Sequence, residues 1–254
     1  MIYLLLSAAS TFFGLHAGLG PTTLLRPLLD AVSPLSPSSI ATLCTMATLG
    51  AALISAFFAL SQPLPLHQDE LILLAAGAAL GGVLGDLAAS RFMTMIGAQA
   101  VLLLQNGLLF TLIALPAVYF HTLSHTLRPL GITRLASLPA ALIIGLLASF
   151  LAFGAEPLTL MVYFLLFDAE NAESSTAALT ISLFSMTGKL ITLLIRQRMF
   201  LPDADALLWL LPGALGGALL AMVPRLQNQI NRSGDMLLRF SLFTSLINIA
   251  SSIA

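Results

Sequence analysis

Apolar residues do not alternate along this chain; they run in blocks. Stretches built mainly of Leu, Ala, Ile, Phe and Val fill residues 38–61, 70–90, 97–120, 134–153, 174–196, 204–224 and 236–254, and the N-terminal residues add one more. A bilayer core takes about 20 such residues per helix, so the pattern predicts about eight transmembrane helices. Polar positions gather between the blocks, above all in HTLSHTLRPLGITR, the most turn-rich connection. The opening MIYLLLSAASTFF carries no Lys or Arg, so the basic lead of a cleavable signal is missing and a retained helix is expected.

A second pattern overlies the first. Sliding the chain against itself by 136 residues (154 − 18) pairs Gly18 with Gly154, Pro21 with Pro157, Thr23 with Thr159 and Ser38-Ser39 with Ser174-Ser175. The same offset pairs Asp69 with Asp205, Gly77 with Gly213 and Gly81 with Gly217. Leu and Ala coincidences carry little weight in such a chain, but Pro, Asp, Ser-Ser and Gly matches at one offset point to a duplication. The expected organisation is a first transmembrane repeat over 1–120, a polar linker over 121–133 and a second repeat over 134–254.

Each copy contains a breaker: Gly18-Leu19-Gly20-Pro21 in the first and Gly154-Ala155-Glu156-Pro157 in the second. The expected fold is therefore an all-α polytopic membrane protein of two tandem four-helix repeats, each opening with a broken helix. Re-entrant half-helices at 22–32 and 158–167 are a further option at these breaks. Four crossings per copy, an even number, predict that the copies share one orientation about an axis along the membrane normal; an odd number would invert them. On that count Arg91, Arg225 and Arg232 fall on one side and Arg128, Arg134, Arg196 and Arg198 on the other, with the second set assigned to the cytoplasm.

Composition narrows the function. With 58% hydrophobic and 8% charged residues, a soluble fold lacks the polar surface to face water, so the partner is a lipid bilayer. A net charge of −1 gives no attraction to nucleic acid, and the single Cys44 excludes an intramolecular disulfide. Spans consume nearly the whole length, which leaves no room for a soluble catalytic domain. His121 and His125 have an i, i+4 spacing but no third ligand, so no metal site is expected. No phosphate-binding Gly-x-x-x-x-Gly-Lys-Ser/Thr loop occurs, no cofactor is implied, and no paired catalytic residues suggest an enzyme.

Several runs carry a family likeness. FFGLHAGLGPTTLLRPLL resembles the glycine-rich opening of the sulfite exporter TauE/SafE family, with Pro27-Leu28-Leu29 in place of its Pro-x-Leu. SPSSIATL is similar to the hydroxyl-bearing start of that family's next helix, with Thr42 at its threonine, and LLAAGAALGGVLGDLAASRF to its Gly-rich third helix. The resemblance implies about eight spans, an internal duplication, and transport of sulfite, organosulfonates or related anions. Departures are Pro21 for a glycine, Ala155-Glu156-Pro157 for most of the second glycine cluster, and Ala178 opposite Thr42, so the substrate can differ from sulfite.

The candidate substrate-binding residues surround the breaks. Freed backbone groups in lipid cost several kcal/mol and are tolerated where they line a cavity, and half-helix N-termini present N–H donors to anions. On this basis Gly18, Gly20, Pro21, Thr22, Thr23, Gly154, Pro157 and Thr159 are assigned to the site, the competing reading being helix kinks for packing. Thr42 joins them through the family likeness. Arg26 offers a planar fork to an oxyanion, or else snorkels to the interface. Glu156 is a candidate for substrate contact and proton coupling because burial penalises its charged form; the alternative is a carboxylate capping the following half-helix. His16 is the second proton-coupling candidate, against a core histidine bonded to backbone. Lys189 is expected to snorkel, Asp86 to sit at the interface near Arg91, and Asp168, Glu170 and Glu173 to form a solvated loop.

The function expected is a secondary transporter, an exporter of a small sulfur-containing or organic anion, in a cell inner membrane, with a homodimer as one option. The alternative is a membrane scaffold or assembly factor that transports nothing.

Overall fold

The computed structural model describes residues 1–60, 65–123, 129–196 and 204–223, together with positions 243 and 246. Apart from positions 243 and 246, the expected last span, residues 236–254, lies outside the described residues, as do Arg128, Arg198, Arg225, Arg232 and His125 and the side chain of His121. Nine α-helices are described: α1 (Ile2–His16), α2 (Thr22–Val32), α3 (Pro37–Ala59), α4 (Gln68–Ile96), α5 (Ala98–Val118), α6 (Ser137–Leu151), α7 (Glu156–Phe167), α8 (Asn171–Ile195) and α9 (Ala204–Ala221). A π-helical turn, Tyr119–Leu123, follows α5, and a 3-10 turn, Arg134–Ala136, leads into α6. No strand occurs among the described residues.

Five of these segments are long and apolar enough to cross a bilayer: Pro37–Ala59, Gln68–Ile96, Gln99–Pro116, Arg134–Leu151 and Ala172–Ile195. Ile2–His16, Glu156–Phe167 and Asp205–Ala221 are apolar but shorter. Large apolar side chains face outward along them, including Leu5 at 66%, Phe57 at 73% and Ile72 at 66% exposure, which water would penalise and lipid does not. The protein is membrane-embedded.

Both breaks interrupt the helices, after His16 and after Leu151. Beyond each break the chain turns back. The Tyr3 and Ser33 hydroxyls, at the start of α1 and just past α2, are 3.2 Å apart. Likewise the N–H groups of Leu130 and Ile132, ahead of α6, donate to Leu165 O and Leu166 O near the end of α7, at 2.9 and 2.7 Å. Each broken helix is thus a hairpin that ends where it began.

This geometry overturns the expected common orientation. Because α1–α2 returns, only α3, α4 and α5 cross between the start of α1 and the start of α6, an odd number. Helices α1 and α3 therefore set out from one end of the molecule, and α6 and α8 from the other. The contacts agree: the start of α3 (Pro37, Ser38, Thr42) shares a cavity with the end of α8 (Lys189, Leu193), and Ser55 near the end of α3 shares another with Ser175 and Leu179 near the start of α8. Arg91 and Arg196, expected on opposite sides, line one cleft, because α4 and α8 run in the same direction.

Glycines set the closest crossings. A Cβ on Gly77, Gly81 or Gly85 of α4 would strike the carbonyls of Leu138, Leu142 and Leu146 on α6, and one on Gly213 or Gly217 of α9 would strike those of Leu4 and Ala8 on α1. With little hydrophobic drive between helices in lipid, such backbone approach supplies much of the attraction through van der Waals contact. The apolar core between α3, α9 and α2 holds Leu25, Leu29, Leu43, Cys44 and Leu210, all buried.

Candidate functional site

The two breaks meet. Thr22, the first residue of α2, accepts through Oγ1 a hydrogen bond from the Gly154 N–H at 2.6 Å, and Thr48 Oγ1 of α3 lies 3.3 Å from the same oxygen. The Ala155 N–H donates to Ser182 Oγ of α8 at 3.1 Å. The Glu156 carboxylate packs on Gly20 and Gly154, where a Cβ would collide with it. Gly20 and Gly18 have φ of +77° and +68°, a region that costs other residues about 1–2 kcal/mol.

The breaks are capped differently. After α1, the glycine turn caps itself: the Leu19 and Gly20 N–H groups both return to Gly14 O, at 2.9 and 3.1 Å. After α6 no glycine stands at the turn itself: Ala152 takes the left-handed position with φ +48°, the Phe153 N–H returns to Ala148 O at 2.9 Å, and side chains from distant elements complete the cap. Lys189 Nζ of α8 donates to Ser149 O at 2.6 Å, and Gln105 Nε2 of α5 donates to Phe150 O at 2.8 Å. A cation at a helix C-terminus is favoured by the helix dipole. Glu156 occupies the first turn of α7, where a carboxylate is favoured for the same reason.

Several expectations change accordingly. Free N–H donors are expected from the sequence at the half-helix ends after Pro21 and Pro157; just ahead of Pro157, the N–H groups of Gly154 and Ala155 are taken by hydroxyls. Thr23 and Thr159 donate to Leu19 O and Ala155 O, four residues back, in matching positions of the two hairpins. Pro21 caps α2, and Pro157 stands in the first turn of α7. His16 Nδ1 lies 3.0 Å from Phe12 O, the backbone-bonded reading.

Arg26 does not snorkel: it is 0% exposed. Nor is it paired with Glu156. Its Nε lies 3.6 Å from Asp30 Oδ2, one turn on, and its Nη2 donates to Gln105 Oε1 at 3.0 Å. Lys189, expected to snorkel, is 4% exposed, and Asp86, expected at the interface, is buried and accepts from Thr192 Oγ1 at 2.9 Å. The acidic residues after α7 are partly structural, since Glu170 and Glu173 form a capping box at the start of α8. Of the paired serines, expected either to cap helices or to line the adjacent cavity, Ser38 and Ser175 line cavities, while the N-caps are Ser36 for α3 and Glu170 for α8.

Two cavities approach the breaks from opposite ends. The first, of about 250 Å³, is lined by Ser38, Thr42, Asp86, Gln105 and Lys189 among others, with Arg26 behind Gln105. The second is lined by Gly18, Gly20, Ser55, Glu156 and Ser175. Oε2 of Glu156 and Oγ of Ser55 are buried there without hydrogen-bond partners among the described residues. Thr42 and Glu156, assigned to one site, thus belong to different cavities. No group of three or more His, Cys, Asp or Glu side chains gathers into a metal site among the described residues.

Sequence reasoning missed Gln105, Asp30, Ser182 and Thr48. The adjacent polar pair Gln105-Asn106 inside an apolar span was a usable signal, because buried polar groups in a membrane need partners. Comparison with protein-family models, curated proteins and solved structures finds no match to this chain. The likeness to the TauE/SafE family rests on its own residues alone.

Proposed function

We propose that this protein is a secondary transporter of a small anion in a cell inner membrane, with sulfite and organosulfonates as the first substrates to test. The carrying observation is the pair of helix hairpins entering from opposite ends, whose breaks touch and whose flanks each open into a cavity. In membrane transporters, irregular backbone is tolerated where it lines a binding path, and paired breaks in two repeats mark that path. The two halves are read as an inverted repeat, an assignment supported by the aligned glycines: Gly77 and Gly81 cross α6 as Gly213 and Gly217 cross α1.

The anion is held in the first cavity. Lys189 provides the ammonium, Thr42 and Ser38 the hydroxyls, and Arg26 a second positive charge behind Gln105. Asp86 and Asp30 offset these charges when the cavity is empty, so an arriving anion competes with them for the cations. Passage to the second cavity requires the Thr22–Gly154 contact to part. Glu156 then faces the substrate path from the far side and couples movement to protonation.

The test is flux of sulfite, methanesulfonate, thiosulfate and acetate in proteoliposomes, for wild type, Lys189→Met and Glu156→Gln inserted at equal levels. Lys189→Met is expected to lower flux at least tenfold, and Glu156→Gln to flatten its dependence on pH. Wild-type flux of all four anions no greater than in empty liposomes would remove the transporter reading and leave the scaffold reading in its place.

A further inference from the structure

Helices α4 and α8 end side by side, and this brings Arg91 and Arg196 into one cleft with Leu87, Ser90 and Thr94. Both arginines are exposed, and neither has an ion-pair partner among the described residues. Ser90 lines both this cleft and the Lys189 cavity, so the two are neighbours across one residue. Thr192, one turn before Arg196, donates to Asp86, which lines the Lys189 cavity.

The opposite end of the molecule has the reverse charge. Asp69 at the start of α4, Asp168 after α7, and Glu170 and Glu173 at the start of α8 gather there. Arg134 at that end is committed to Glu70 at 3.2 Å and Glu173 at 3.6 Å. At the Arg91 end, Asp205 at the start of α9 is the exposed acid among the described residues. A cleft lined by one sign of charge and walled by apolar helices concentrates counter-ions and raises their rate of arrival.

We infer that Arg91 and Arg196 form an outer binding station for a small oxyanion from the aqueous phase, at the mouth of the Lys189 cavity. Two planar guanidinium forks suit the oxygens of a sulfonate or sulfite. An anion held there lies one residue, Ser90, from the inner cavity. The feeding role rests on the transporter reading; the binding station does not.

The binding test needs no transport. The full chain in phosphatidylcholine nanodiscs is treated with phenylglyoxal, with and without methanesulfonate or sulfate, and modification is read by mass spectrometry at Arg91, Arg196 and Arg134. Either anion is expected to slow modification of Arg91 and Arg196 several-fold and to leave Arg134, 54% exposed, unchanged. Equal protection of all three, or of none, overturns the proposal. Protection that appears only when phosphatidylglycerol is added, and not with the free anions, also overturns it and assigns the cleft to a lipid headgroup.

The feeding role is read from flux. The double variant Arg91→Gln/Arg196→Gln is expected to raise KM about tenfold at low salt while Vmax holds, and added NaCl is expected to erase the difference. An unchanged KM overturns the feeding role. Absence of wild-type flux defeats the transporter reading instead, and the protection experiment still decides the station.

Discussion

Replacing Thr22 by Val isolates the contact that joins the two breaks. Valine keeps the volume and the branching at Cβ but removes the oxygen that accepts from the Gly154 N–H at 2.6 Å. Thr22 is 0% exposed, so no water reaches the donor to replace it. An orphaned buried donor costs about 1–3 kcal/mol, whereas hydrogen bonds measured within membrane proteins average about 0.6 kcal/mol because the altered state finds other partners. One such partner is at hand: Oε2 of Glu156 is unpartnered among the described residues and packs on Gly154. We therefore expect Thr22→Val to cost about 1 kcal/mol, between the two limits, and the double change Thr22→Val/Glu156→Leu to cost more than the sum of the single ones.

The most direct assay is amide hydrogen exchange of the peptide containing Gly154, in detergent micelles, with unfolding by dodecyl sulfate titration alongside. A loss of 1–2 kcal/mol corresponds to about 5–30-fold faster exchange. Thr22→Ser, which retains the hydroxyl, should exchange like wild type. If Thr22→Val and Thr22→Ser exchange alike, the hydroxyl does not hold the breaks together and the Thr22–Gly154 junction is wrong.

The packing and the buried charges give two more expected outcomes. Gly81→Ala should cost about 1–3 kcal/mol because its Cβ meets α6 backbone, while Gly107→Ala in α5, with open space around it, should be neutral or mildly stabilising; equal melting temperatures for the two would contradict the α4–α6 crossing. Arg26→Leu should destabilise by about 3–5 kcal/mol by stranding Asp30, and Arg26→Leu/Asp30→Leu should recover much of it in the same titration; a double variant no better than the single would show that Asp30 is not the partner that matters.

The sequence announces where the helices break, because Gly and Pro act locally. Gly18, Gly20 and Pro21 cluster closely enough to mark the first break and Gly154 with Pro157 the second, whereas the single prolines Pro27, Pro116 and Pro212 stay inside helices. It does not announce what the breaks touch. The bond from Gly154 to Thr22 spans 132 residues, and Lys189 finds Ser149 O across 40. Lys189 looked like a snorkelling residue because only its distance from the span's end was visible; a helix C-terminus buried beside it was not. The orientation of the halves failed for a related reason. Whether a broken helix crosses or returns changes the parity of crossings, and that depends on the Tyr3–Ser33 and Leu130–Leu165 closures rather than on hydropathy.

The unequal breaks also bear on the role proposed for the second one. A self-capped glycine turn, as after α1, needs nothing from the rest of the molecule and so communicates little to it. The second break closes one backbone bond of its own, Phe153 N–H to Ala148 O, and takes its other partners from α2, α5 and α8, so that its geometry depends on how those helices sit. Moving Lys189 or Gln105 toward an arriving anion withdraws hydrogen bonds from Ser149 O and Phe150 O at the end of α6. Those carbonyls lie only a few residues before Gly154 and Glu156. On the proposed transporter reading, binding in the first cavity would be coupled, through the backbone of one short turn, to the Thr22–Gly154 contact and to the carboxylate that faces the second.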